Sequence, residues 1–360
     1  MPSATILSQD LYMAYVTILS YRVGVQDLRS NQSLSLEASF RTLLALDFTW
    51  VEEILLQKYS MQRRRPPHPP LAMFKALIYQ HLKQIPSWRK LALTIKSDRR
   101  LAETLGFQRS PCHDSFSEFT RRIGDNALNQ IFLGLVERVR QLMPDLGKVV
   151  AIDSTLVDAY SKPRKKGSRK TDPDVAWGVS GEYLGKPIYT YGYKLQVTCD
   201  AKHDIPLSFM VSSANRNDTR IFPDHLRSLL AQGSKPDVLT ADAGYDSKRN
   251  NILCLKNGIV PIIALNPRRS RNKHRRRADY LLPITRRSPA WDYYYSMRSS
   301  IERVFSRLKE ELGLKHLKLR RIPRATVHFV LCLITMLTIA LASFSIGRPE
   351  LYLSAESWRY

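Results

Sequence analysis

Cysteine is scarce in this chain of 360 residues: Cys112, Cys199, Cys254 and Cys332 stand far apart and form no CxxC pair. That excludes a disulfide scaffold and leaves no zinc-ligand spacing; Cys112 and His113 are adjacent but lack partners at metal spacing. Free thiols suit a reducing, cytoplasmic compartment. Glycine is sparse as well, and Gly185, Lys186 and Gly192 do not make a phosphate-binding loop, so nothing supports an ATP-driven mechanism. The first residues hold no basic n-region and Asp10 comes early, so no secretory signal is expected. No internal repeat is visible. Long apolar runs are nearly absent too, the one candidate being the 18 residues from Val327 to Phe344. That run reaches the range of a membrane span. His328, Thr335, Thr338 and Ser343 interrupt it, however, and basic residues flank only one side closely. A buried core helix is the expectation and a membrane anchor the alternative.

Acidic residues are the other shortage. Asp and Glu total 32 against 56 Lys and Arg, a formal charge of +24. The excess is uneven: residues 1–60 carry four basic and six acidic side chains, whereas residues 148–360 carry 37 and 19. A surface this positive binds polyanions by counterion release, and nucleic acid is the commonest of them in a cell. What is plentiful is apolar surface, at 44% of residues, which excludes wholesale disorder; the length fits two or three domains.

Residues 1–60 read as an N-terminal helical segment, apolar at Leu43, Leu44, Leu46, Phe48, Ile54 and Leu55. Arg63-Arg64-Arg65-Pro66-Pro67-His68-Pro69-Pro70 then forbids a helix and suggests an extended basic connector. Residues 61–147 read as an all-α, helix-turn-helix-like DNA-binding domain, with helical patterns at Leu71 to Gln84, Trp88 to Lys96, Arg99 to Leu105 and Ser115 to Arg122. The alternative there is a packing domain with a solvated basic face. After Gly147 the period changes. Val149 to Ile152 is a continuous apolar run ending at Asp153, as in a strand buried on both faces. Tyr193 to Asp200 and Ile205 to Val211 alternate across a short link and form a hairpin. Asp224 to Ala231 is a helical connector, Val238 to Ala241 a strand ending at Asp242, Ile259 to Ala264 a further strand, and Asp292 to Leu312 a helix. Residues 148–346 thus form an α/β domain with a mixed sheet flanked by helices, and 347–360 a tail.

Two acids, Asp153 and Asp242, fall at the C-terminal ends of predicted strands. In Asp242-Ala243-Gly244-Tyr245-Asp246, Gly244 permits a tight turn and Asp246 is placed to cap the next helix, which leaves Asp242 for chemistry. On the late helix, Tyr295, Arg298, Glu302 and Lys309 fall within one arc of about 60° at 100° per residue. The plain alternative for that stripe is a solvated Arg298–Glu302 salt bridge. Two basic clusters, Lys162 to Lys170 (with Lys165 and Lys166) and Arg268 to Arg277 (with Arg269 and Arg271), read as phosphate-contact loops or as merely solvated ones. Trp291 could stack on an unpaired base, although core packing is the plainer role.

Tyr295-x2-Arg298-x3-Glu302-x6-Lys309 resembles the Y-R-E-K signature of insertion-sequence DDE transposases. Asp153 in Ala-Ile-Asp-Ser-Thr and Asp242 in Asp-Ala-Gly-Tyr-Asp are similar to that family's first two acids. Ser213 to Asp218 resembles its Asn/Asp-bearing loop, and Leu71 to Ile123 its N-terminal domain, so the likeness covers about residues 70–345. The resemblance implies a ribonuclease-H-like core with Asp153, Asp242 and Glu302 as catalytic metal ligands. It implies two Mg²⁺ ions, with Mn²⁺ as a substitute, and DNA as partner: the element's terminal repeats and target DNA. Tyr295, Arg298 and Lys309 would contact phosphates, and a homodimer would hold the synaptic complex of a nucleoid-associated prokaryotic enzyme. Only 59 residues separate Asp242 from Glu302, too few for the large β-rich insertion of some relatives. A nuclease of the same core that cuts without joining, and a catalytically idle DNA-binding descendant, are the alternatives.

Overall fold

The computed structural model describes residues 43–59, 68–163, 171–266 and 282–359. The connector at 63–67 and most of both basic clusters, including Lys165, Lys166, Arg269 and Arg271, lie outside the described residues.

The N-terminal part is helical. Helix α1 (Thr49–Leu56) is followed by α2 (Pro70–Leu82), which opens on Pro70, where a missing N–H costs nothing. Ten of the 13 residues of α2 are buried, because the helix is apolar all round. Helix α3 (Trp88–Ser97) is capped by Ser87, whose hydroxyl accepts the Lys90 N–H. Asp98 alone separates it from α4 (Arg99–Leu105) and caps that helix in turn. Helix α5 (His113–Leu142) is far longer than the Ser115 to Arg122 pattern predicts, and it bends at Gly124, where φ is +66°. Residues on both sides of the connector share one packing surface: Phe48 meets Phe74 edge to face at 5.9 Å, and Trp50 closes on Gly134 so tightly that a Cβ there would lie 2.4 Å from its ring.

The sheet follows in one run. Strand β1 (Val149–Asp158), β2 (Ala176–Tyr183), β3 (Lys186–Asp200) and β4 (Pro206–Ser213) are antiparallel neighbours. Helix α6 (Asp218–Ala231) leads to β5 (Val238–Ala241), and α7 (Lys248–Lys256) leads to β6 (Val260–Ile263); β5 lies parallel to β1, and β6 to β5. The second half of β3 lies between β1 and β4, and its first half pairs with β2. The result is a six-stranded mixed sheet of the ribonuclease-H-like kind, with helices packed on it.

Strand β3 starts at Lys186 rather than Tyr193 because Leu184 and Gly185, both at positive φ, turn the chain from β2 directly into it. β1 continues five residues beyond Asp153, so Asp153 is in mid-strand and not at a strand end. The run Asp292 to Leu312 is not one helix either. It divides into α8 (Pro289–Ser296), α9 (Ser299–Ser306) and a π-helical turn (Arg307–Glu311).

Helix α10 (Ile322–Ser345) contains the long apolar run. By length and composition it could cross a membrane, but 83% of its most apolar window is buried inside the protein. Its hydroxyls need no outside partner: Thr335, Thr338 and Ser343 donate to the carbonyls of Leu331, Ile334 and Ile339. Asp172 and Asp174 accept the N–H groups of Arg321 and Ile322 at its N-terminus, and Asp172 also accepts the Tyr193 hydroxyl. Helix α10 packs against α2, α5 and β4, so one continuous core joins the helical region to the sheet.

Candidate active site

The parallel pairing of β1 with β5 ends at Ile152 opposite Ala241. Asp153 and Asp242 are the next residue on each strand, which sets two acids side by side where β5 stops and β1 runs on along β3. Asp242 turns into a short 3₁₀ turn and accepts the Gly244 N–H at 2.9 Å. A Cβ on Gly244 would lie 3.0 Å from Asp242 Oδ1, so close approach, rather than unusual torsion, calls for glycine here. Asp246 does not cap α7: Ser247 does, accepting the Asn250 N–H, while Asp246 is buried, accepts the Asn266 N–H and pairs with Arg286.

The electrostatics are those of a crowded acidic pair. Burial, then the Asp242 charge, pushes the Asp153 carboxyl up to about 7, against the Ser154 N–H and Arg298. Burial also raises Asp242, opposed by the Gly244 N–H. Arg298 is the counterweight: Nη1 lies 3.7 Å from Asp153 Oδ2, and Nη2 donates to Glu302 Oε1 at 2.6 Å. The guanidinium therefore links the acid on the sheet to the acid on α9. Tyr295 lies beside it, its ring 5.9 Å from the Arg298 guanidinium and stacked on Trp291 at 4.4 Å.

Lys309 is not part of this group. The π-helical turn inserts an extra residue per turn, which breaks the arc assumed for a continuous helix. Lys309 is half-buried; burial and then Lys315 push its ammonium below the usual lysine range, and the carboxylates whose charge opposes this are Glu310 and Asp158, the latter at the far end of β1.

Two neighbouring groups were not assigned from sequence. Asp218, in the loop singled out for its resemblance but without a role, accepts from Lys194 Nζ at 2.9 Å and from the Ser154 hydroxyl at 3.0 Å. Its charge adds to the load on both Asp153 and Asp242. Second, Asp204 in the β3–β4 turn is buried and accepts two hydrogen bonds from Arg303, at 2.7 and 2.8 Å, with Arg307 3.1 Å away. This clamp fastens α9 to the sheet, while the side chain of the adjoining Glu302 stays 58% exposed. Asp218 had a local signal in the Ser213 to Asp218 loop, but neither set of pairings had one, since the partners are brought together only by the fold.

The three carboxylates suit a hard divalent cation: they supply oxygen alone, and the two that adjoin repel one another until a cation neutralises them. Arg298 takes part of that role.

A mixed sheet with adjoining acids on its central parallel strands defines the ribonuclease-H-like class. Within it, a family model described as Transposase DDE domain matches residues 144–338, and one described as Transposase domain (DUF772) matches residues 16–122. The chain belongs to the DDE transposase family. No curated protein matches it. Among solved structures it is similar to the piggyBac transposase synaptic complex with hairpin DNA, at 12% identity and a TM-score of 0.43, over 90% of this chain and 80% of that one. It is also similar to the Mos1 strand transfer complex, at 10% identity and a TM-score of 0.22, over 73% and 83%. A third is the Mos1 mariner paired end complex with Mn, at 13% and 0.21, over 89% and 100%.

Proposed function

We propose that this transposase binds the ends of an insertion sequence, cuts them in a metal-dependent reaction and joins the freed ends to target DNA. The observation that carries the reading is the placement of Asp153 and Asp242 one step past the last parallel pair of β1 and β5, with Arg298 spanning from Asp153 to Glu302. Asp153, Asp242 and Glu302 would hold two Mg²⁺ ions, or Mn²⁺ in their place. Such ions, when bound, activate the attacking oxygen and neutralise the departing one.

The remaining roles belong to this chain's own side chains. Arg298 keeps Asp153 and Glu302 compatible before DNA arrives, and its guanidinium then turns to a phosphate beside the scissile bond. Tyr295, backed by Trp291, supplies an aromatic edge at the same place. Lys309, near the Asp158 end of β1, contacts a phosphate farther along the duplex. Lys165, Lys166, Arg269 and Arg271 are assigned to backbone phosphates on their basic character alone. DNA is the partner, a homodimer holds the two ends, and the bacterial nucleoid is the setting.

Cleavage and joining of an end-bearing duplex with Mg²⁺, taken from the element's own flanking DNA, tests this. Wild type should nick and join, while Glu302→Gln should bind the duplex and lose both steps by at least about 100-fold. Equal activity of the two would reduce Glu302 to a salt-bridge partner of Arg298. Nicks without joined products would make the chain a nuclease of the same core.

A further inference from the structure

Away from the carboxylates, side chains with a different ligand chemistry assemble from separate parts of the sequence. His81 lies near the C-terminus of α2, and His328 and Cys332 stand one turn apart on α10. A four-residue step puts His328 and Cys332 on one helix face, and the packing of α2 on α10 brings His81 to them. One ligand atom from each lies within 4.8 Å of the other two, and this is the one such trio of His, Cys, Asp or Glu among the described residues. Cys332 Sγ is 3.3 Å from His81 Nδ1, and the two imidazole centroids are 5.0 Å apart.

The surroundings are those of a ligating pair of histidines. His81 Nδ1 lies 3.1 Å from the Leu312 carbonyl oxygen, and His328 Nε2 lies 3.1 Å from that of Leu314. His328, donating through Nε2 to Leu314, keeps its lone pair on Nδ1, the usual orientation of a ligating imidazole, whereas His81 Nδ1, the nitrogen beside Cys332 Sγ, would exchange its hydrogen bond to Leu312 for the ion. Both rings are buried, and an imidazole binds a metal in its neutral form. A cavity of about 410 Å³, also lined by Trp88, His113 and His316, runs past both histidines and offers an entry path.

We propose that His81, His328 and Cys332 form a zinc site that fastens the helical N-terminal region to the catalytic domain. Two nitrogens and a sulfur select zinc over magnesium, the reverse of the all-oxygen site at Asp153. On binding, the Cys332 thiol gives its proton to the buffer and the thiolate becomes a ligand; a water completes the fourth position. The ion would tie together α2, α10 and, through the His328 bond to Leu314, the segment that leaves the π-helical turn after α9. No CxxC or neighbouring His–Cys pair announces it, because its ligands are 247 and four residues apart in the chain.

Cobalt(II) is the probe. A thiolate ligand gives a near-ultraviolet charge-transfer band, whereas carboxylate coordination gives none, so the readout is blind to the Asp153 site. In chelator-stripped full-length protein, one equivalent of Co²⁺ should produce the band and Zn²⁺ should abolish it. The band should persist in Cys112→Ser, which removes the exposed thiol beside His113, and vanish in Cys332→Ser. Zn²⁺, but not Mg²⁺, should raise Tm in the wild type. Absence of the band in folded wild type overturns the proposal, as does a band lost in Cys112→Ser yet kept in Cys332→Ser. A Zn²⁺-dependent rise in Tm without the band overturns it too, because the metal would then sit elsewhere. The wild-type titration stands without either variant, so a misfolded substitution cannot mask the result.

Discussion

Asp153 carries the clearest cost of any single residue. Its carboxyl titrates at about 7 in the folded chain and at about 3.9 when unfolded. The unfolded chain therefore releases this proton first, and the stability of the metal-free protein falls as pH rises from about 4 to about 7. Asp153→Asn should flatten that slope and raise metal-free stability at pH 8 by on the order of 2 kcal/mol. Urea unfolding at pH 5 and pH 8 with a chelator checks it, and Mg²⁺ should stabilise the wild type but not the variant. Gly244→Ala makes a different point. The added methyl would press on Asp242 Oδ1. We expect a fall in cleavage of roughly tenfold or more with a stability change under about 1 kcal/mol, read by comparing turnover with Tm. At this scale the sequence was informative: the spacing from Arg298 to Glu302 is a contact in the structure, and Asp242 ends its strand as expected. Lys309 was misplaced and Asp218 left without a role, because a motif's spacing says which residues recur and not which ones touch.

The elements show where periodicity stops being a guide. A helical wheel over 292–312 assumes one unbroken helix, but the backbone breaks after Ser296 and again at the π-helical turn. Those breaks leave Arg298 between Asp153 and Glu302, and Lys309 near Asp158 at the far end of β1. Ile301, Val304, Phe305 and Leu308 lie at helical spacing and are all buried. What holds α9 at its angle is the Asp204 clamp, whose partners are 99 residues apart in sequence and so left no local trace. Asp204→Asn keeps the shape and removes the charge. It should cost about 1–3 kcal/mol, discounted because Arg303 is half exposed, and should lower turnover without weakening DNA binding. Denaturant titration and a gel-shift assay separate the two effects. Strand β1 teaches the same lesson: its apolar run ends at Ile152, yet pairing with β3 carries it to Asp158.

Charge and core belong to the molecule as a whole. With +24 on 360 residues, DNA affinity should fall roughly 10³-fold or more between 50 and 200 mM salt if six or more phosphates are contacted; binding isotherms across that range give the slope. The mixed α/β class was legible from the change of period after Gly147, and so was the burial of α10, whose polar interruptions fit a core helix better than a membrane span. What composition could not show is that α10 completes a core shared with α2 and α5. Phe329, fully buried in it, tests this: Phe329→Ala should cost about 3–5 kcal/mol and lower the thermal transition of the helical region and the sheet together.

That sharing also sets a schedule. The β1–β5 pair that positions Asp153 and Asp242 precedes, in the chain, the helix that completes the shared core. Until that helix has been synthesised, the nascent polypeptide has its acids, and a strongly basic surface, but no finished interior. Premature termination before residue 322 therefore yields a chain with an open apolar face, a substrate for chaperones and proteases rather than a shortened enzyme let loose on the genome.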